Sequence, residues 1–188
     1  MKIILGSVSS TRKQVMDELG YSYEVMSADI DEKAIRVGDP KELTMALARA
    51  KAAALLPLIK EPVILITADQ VVIFANEVRG KPINKQEARK FLKSYSNNHT
   101  SHINSVVVTN TQTGQTAEGS DYSEVYFAAI PDEIIENFVK DSRIYARAGG
   151  FSVHDPIMRK YILNIKGSRE SVMGLPVELL QSLIDQVS

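Results

Sequence analysis

Residues 3–20 are IILGSVSSTRKQVMDELG, a strand, a turn and a helix in succession. The apolar run from Lys2 to Leu5 predicts a buried strand, and Val15, Met16 and Leu19 then recur at helical spacing, with Gly20 as the helix C′ residue. A strand that runs through a turn of small residues into a helix presents unpaired backbone N–H groups and the positive end of the helix dipole. Such a turn is an anion site. Ser7, Ser9, Ser10 and Thr11 add hydroxyl donors to it. The stretch is neither a Walker loop, which needs glycine then lysine at the helix start, nor a dinucleotide fingerprint with three spaced glycines.

Arg12 sharpens this reading. Val15, Met16 and Leu19 lie three, four and seven residues beyond it, so the arginine projects from the buried face of the helix while Lys13 faces water. A cation on a core-facing stripe is expensive without an anionic partner. By its residues alone, that partner is equally well a structural carboxylate or a bound phosphate, and the serine-rich turn favours the phosphate slightly.

Outward from this unit the chain alternates. Tyr23 to Met26 is a short strand, followed by the acidic loop SADIDE, and Asp39 then Pro40 starts the strongest helix, running to Leu56. VILIT (63–67) and VVIF (71–74) read as two strands around Ala68, Asp69 and Gln70. QEARKFLKSY is a surface helix, and His102 to Ala129 forms a long hairpin, with SVVVTN and EVYFAA flanking TQTGQTAEGS. PDEIIENFVKD is a helix, YILNI a strand, and Val177, Leu180, Ile184 and Val187 line a closing helix. These elements predict one mixed α/β domain over residues 1–188.

Composition limits what the protein binds. The 188 residues carry a formal charge of -1 with no long block of like charge, which argues against a grip on nucleic acid polymer or an anionic membrane. There is no cysteine, so disulfides, thiolate metal sites and thiol nucleophiles are excluded, and cytoplasm is the expected location. The apolar stretch MKIILG is too short to span a membrane. His99, His102 and His154 lack the spacing of a zinc site.

Four further clusters carry possible chemistry. Asp69 at the end of an apolar strand is a Mg²⁺ ligand or a general base, although an Asx turn between strands is the more frequent role of such a residue. Lys51 borders the helical stripe Leu43, Leu47, Ala50 and Ala54, either snorkelling over alanines or reaching an anion. Lys81 sits in the turn RGKP, where a solvated lysine is the default. Asp29, Asp31 and Glu32 are a solvated acidic loop or a site for a shared divalent cation.

In order and spacing, these pieces resemble the Maf family of nucleoside triphosphate pyrophosphatases over nearly the whole chain. The family's S-x-S-x-R-R pattern appears as residues 7–12, its D-I-D-E as Asp29 to Glu32, its A-x-x-K-A as Ala48 to Ala52 and its A-D-[TQ]-V-V as Ala68 to Val72. G-K-P is Gly80 to Pro82, A-G-x-[YF] is Ala148 to Phe151, and the closing V-x-G-L-P is Val172 to Pro176.

The resemblance implies an elongated, two-lobed α/β fold like that of inosine triphosphatases, with a central mixed sheet and a cleft, often in a homodimer. It implies cleavage of a nucleoside triphosphate between the α and β phosphates with Mg²⁺ or Mn²⁺, in a house-cleaning role. Ser7, Ser9, Arg12, Lys51 and Lys81 would hold the phosphates, Glu32 and Asp69 the metal, and Asp69 would activate the attacking water. His154 would lie near the base, where the family usually has glutamine or glutamate, and Gln70 resembles the branch that prefers 7-methyl-GTP over the branch that prefers dTTP and UTP. The alternative is a catalytically weak nucleotide-binding regulator linked to cell division.

Overall fold

β1 (Lys2–Leu5), α1 (Ser10–Glu18) and β2 (Tyr23–Val25) form where the opening stretch demands them, in a computed structural model that describes the whole chain, Met1–Ser188. Gly20, at φ 71°, ends α1: its N–H donates to the Asp17 carbonyl at 3.0 Å, and the Tyr21 N–H reaches the Met16 carbonyl at 3.2 Å. This paired closure needs a left-handed residue, which glycine supplies without steric cost.

Asp39 caps α2 (Pro40–Leu55) by accepting from the Glu42 N–H at 2.9 Å. Its buried face is Thr44, Leu47, Ala48, Ala52 and Leu55, so the expected stripe was rotated. The cause is Thr44, a polar residue whose hydroxyl is satisfied inside by Ser105 at 2.7 Å and by the Lys41 carbonyl at 2.9 Å. Lys51 therefore lies within the stripe and not beside it.

The two strands expected around Asp69 are one, β3 (Val63–Phe74), of 12 residues. No Asx turn interrupts it, because its first half pairs with β1 and its second half pairs with β4 (Glu77–Arg79). Asn84 caps α3 (Lys85–Tyr95). The hairpin is longer in its strands and shorter in its turn than expected: β5 (His99–Asn110) and β6 (Thr116–Phe127) leave only residues 111–115 between them. α4 (Asp132–Phe138), β7 (Ile162–Lys166), α5 (Arg169–Val172) and α6 (Val177–Val187) complete the chain. In α6 the buried positions are Leu180, Leu183 and Val187, with Leu183 in the place expected for Ile184.

The strands form one seven-stranded mixed sheet in the order β2-β1-β3-β5-β6-β7, with β4 on β3. β1 is parallel to both β2 and β3. The chain steps one way from β1 to β2 and the other way from there to β3, so right-handed crossovers put α1 and α2 on opposite faces. Such a reversal of strand order opens a crevice beyond the carboxyl ends of the two strands that flank it. β1 and β3 are those strands.

Two compact units divide the chain. One contains Met1–Gln70, Asn104–Asp121 and Met173–Ser188, and the other Val71–Ile103 and Tyr122–Val172. In the first, Ala48, Ala52 and Leu55 of α2 pack on Ile4, Val63, Leu65 and Val107. Each large aliphatic side chain buried there contributes about 1.5–3 kcal/mol. Gly6 permits the close approach, because a Cβ there would lie 2.6 Å from Thr67 Cγ2 and 2.7 Å from Leu55 Cδ1. The second unit is built round Tyr95, whose ring lies 5.5–5.7 Å from those of Phe74, Phe127 and Phe151.

Candidate active site

Leu5 is opposite Ile66 in the parallel register, and the Gly6 N–H extends the ladder to the Ile66 carbonyl at 2.7 Å. β1 then turns away into GSVSS while β3 continues. Asp69, three positions beyond Ile66, thus lies just past the carboxyl end of β1, at the crevice, although it is within a strand. The expectation of an acid at a strand's end holds for the parallel part of β3 and fails for the strand as a whole.

Ser9 caps α1, its hydroxyl facing the Arg12 N–H at 3.5 Å and the Thr11 hydroxyl at 2.9 Å. Ser7 Oγ accepts from the Ser9 N–H at 3.3 Å and from Arg12 Nη1 at 3.1 Å. Both bonds use the serine oxygen as acceptor, which leaves its proton for an anion. Arg12 is buried, as the helical spacing demands, and its Nε donates to the Gly174 carbonyl at 2.8 Å. Burial lowers the pKa of its guanidinium, and Asp69 and then Glu32 oppose that by their charge. Its hydrogen bonds go to a carbonyl and a hydroxyl, and the two carboxylates act on it through their charge. Lys13, on the same turn, is only partly covered.

Lys51 gathers the acids. Its Nζ lies 2.5 Å from Asp69 Oδ1 and 2.9 Å from Glu32 Oε1. The Lys51 and Asp69 side chains are each 12% exposed, whereas that of Glu32 is 55% exposed. α2 presents Lys51 from the stripe that packs on β3, and Thr67, two residues before Asp69, donates to the Ala48 carbonyl at 2.9 Å. The period of two in β3 therefore aims both Thr67 and Asp69 at α2. Asp31 instead caps its own loop through the Lys33 N–H at 3.1 Å.

Ser7, Ser9, Arg12, Glu32, Lys51 and Asp69 thus all belong to the first unit. Lys81 and His154 belong to the second. There Lys81 is exposed on the turn after β4, and His154 Nδ1 lies 2.8 Å from Arg169 Nη2. No group of three or more acidic, histidine or cysteine side chains forms a ready metal cage. Glu32 and Asp69 are nonetheless two carboxylates converging on one cation. A magnesium ion shared with phosphate asks for one or two protein carboxylates, the rest of its shell being phosphate and water oxygens. The donor set fits that group.

Two members were not assigned a role from sequence. Gly174, at φ 94°, brings its carbonyl to Arg12, and a Cβ there would sit 3.3 Å from Arg12 Nε and 3.4 Å from Gln70 Oε1. The glycine in GLP was a signal for this, but no spacing rule points from residue 174 to residue 12. Arg169 likewise gave no sign that it would meet His154.

A mixed α/β sheet with a strand-order reversal thus carries a serine-rich turn and a lysine-bridged carboxylate pair at the carboxyl ends of β1 and β3. The chain belongs to the Maf-like protein family, whose family model matches residues 2–187. It is 43% identical to the 7-methyl-GTP pyrophosphatase of Dictyostelium discoideum, over 99% of this chain and 97% of that protein. It is 29% identical to the dTTP/UTP pyrophosphatase of Bdellovibrio bacteriovorus, over 98% and 97% of the two chains. Among solved structures, a dITP/XTP pyrophosphatase from Mycobacterium abscessus is 10% identical with a TM-score of 0.45, covering 100% of this chain and 94% of that one. No helix is long and apolar enough to cross a membrane.

Proposed function

We propose that the chain is a nucleoside triphosphate pyrophosphatase that cleaves between the α and β phosphates, with 7-methyl-GTP its preferred class of substrate. The 43% identity to a 7-methyl-GTP pyrophosphatase and the presence of Gln70 after Asp69 support that choice of base. The reaction reading rests above all on one observation: a buried arginine hydrogen-bonded to a carbonyl and a hydroxyl, in the same unit as a lysine-bridged carboxylate pair.

Each group then has a task. Ser7 and Arg12 hold phosphate oxygens, as hydroxyl donor and as fixed guanidinium, and Lys51 and Lys81 supply further positive charge where the transition state spreads its negative charge. Asp69 takes a proton from water as the water oxygen bonds to the α-phosphorus. The bond from that phosphorus to the bridging oxygen breaks, and pyrophosphate leaves with the electron pair. Glu32 and Asp69 would hold Mg²⁺ or Mn²⁺. When bound, that ion neutralises phosphate charge.

Pyrophosphate release from a panel of canonical and methylated triphosphates, with Mg²⁺ present, tests the proposal. Release is expected from 7-methyl-GTP above the others, with about a 10³-fold loss in Asp69→Asn. Undiminished release in that variant would remove Asp69 from its role.

A further inference from the structure

Tyr95 is fully buried, yet its hydroxyl is not idle. It donates to the Gly149 carbonyl at 3.0 Å, and the Gly149 N–H donates in turn to the Gly80 carbonyl, also at 3.0 Å. Gly80 is the residue before Lys81, so a chain of two hydrogen bonds runs from the aromatic core of the second unit to the turn that carries the lysine.

The surroundings leave this chain little freedom. Tyr95 is held by Phe74, Phe127 and Phe151, with ring centroids 5.5, 5.6 and 5.7 Å away. Burial raises its pKa well above the usual phenol value, so it remains a donor. Gly149 and Gly150 both adopt left-handed backbone, at φ 70° and 72°. A Cβ on Gly149 would come within 3.0 Å of Val72, and one on Gly150 within 3.3 Å of Pro82. The double glycine therefore lets the 148–150 segment lie flat on the turn 80–82. Just before that turn, Arg79 is stacked at 4.7 Å on the Phe91 ring and paired with Glu77 at 2.9 Å.

We infer that Tyr95 is a positioning residue for Lys81, acting through Gly149 and Gly80. The double glycine is then a clamp for the lysine turn. A lysine ammonium is a point charge on a flexible stem, so its value in a transition state depends on how firmly its own backbone is fixed. The inference rests on the proposed phosphate role of Lys81.

A double-mutant cycle on the full chain separates the two ideas. Tyr95→Phe deletes one oxygen and keeps the ring in its cluster, and Lys81→Met removes the charge. Pyrophosphate release from 7-methyl-GTP with Mg²⁺ gives kcat and KM, and melting temperature is measured alongside. Expected are about a tenfold loss of kcat/KM in Tyr95→Phe, about a 10²-fold loss in Lys81→Met, and less than about twofold further loss on adding Tyr95→Phe to Lys81→Met. Equal losses from Tyr95→Phe in both backgrounds, or none in wild type, overturn the positioning role while leaving Lys81 a phosphate ligand. An unchanged kcat/KM in Lys81→Met alone overturns the phosphate role, and the positioning role with it.

Discussion

Arg12 and Gly174, 162 positions apart, are joined by a 2.8 Å hydrogen bond from guanidinium Nε to backbone carbonyl, which orients the arginine without neutralising it. A carboxylate at the same place would cancel the charge that an anionic ligand needs. The carbonyl fixes the plane of the guanidinium and leaves its cationic character intact.

Gly174→Ala attacks that arrangement twice. The left-handed φ of 94° costs a residue with a Cβ about 1–2 kcal/mol, and the new methyl presses on Arg12 Nε at 3.3 Å. Loss of about 10²-fold in kcat/KM is expected, together with a lower melting temperature. Kinetics and a thermal melt on the one variant check both; a variant that loses stability but keeps kcat/KM would refute the orienting role of the carbonyl.

Arg12 and Lys13 are adjacent cations with different fates. Arg12→Ala is expected to lower kcat/KM by about 10²–10³-fold, and Lys13→Ala by less than about twofold. Comparable losses from the two substitutions would show that charge near the turn matters and that burial does not.

Lys51 is shared by two carboxylates, so Lys51→Met leaves Asp69 and Glu32 facing each other without their cation. The expected cost is about 1–3 kcal/mol in chemical denaturation. Millimolar Mg²⁺ should then raise the melting temperature of Lys51→Met by more than that of wild type, because the ion replaces the missing charge. Equal shifts would mean that the pair does not bind the ion.

His102 predicts how stability responds to acid. Burial pushes its imidazole down to about 3, with Nδ1 unpartnered and Nε2 at 3.1 Å from the Thr100 hydroxyl. The unfolded chain binds this proton near pH 6.5, so the neutral ring stabilises the fold fully above that value. As pH falls from there toward 3 the contribution is lost, at about 1.4 kcal/mol per pH unit. Denaturant titrations of wild type and His102→Met at pH 7 and pH 5 should show a shallower loss in the variant; parallel losses would place the acid sensitivity elsewhere.

Periodicity and turn chemistry made much of the fold legible. Gly20, the Asp39 cap and the inward face of Arg12 follow from local rules that tertiary contacts do not override. Where the reading went astray, a polar residue was satisfied internally. Thr44 rotated the α2 stripe because Ser105 is its partner, and Asp69 resembled a strand break because nothing local shows that Lys51 receives it. In the hairpin, too, the ladder runs into the turn formers as far as Thr116, which faces Thr109 across it at 3.1 Å. Of the site, residue types and their order were readable. Which unit each residue joins, and the backbone acceptors at residues 149 and 174, depend on long-range packing.

β3 passes Asp69 without a break, and this makes the chain's tolerance of insertions and deletions uneven. A strand assigns its side chains to faces by odd and even count, so Asp69 meets α2 while Gln70 is turned to the opposite face. Losing or gaining one residue between Ile66 and Asp69 exchanges the two, sending an amide to Lys51 and a carboxylate to the other side, with composition almost unchanged. Residues 112–114, in the turn between β5 and β6, set no side chain's face. Along residues 66–70 the number of residues decides which side chain meets Lys51.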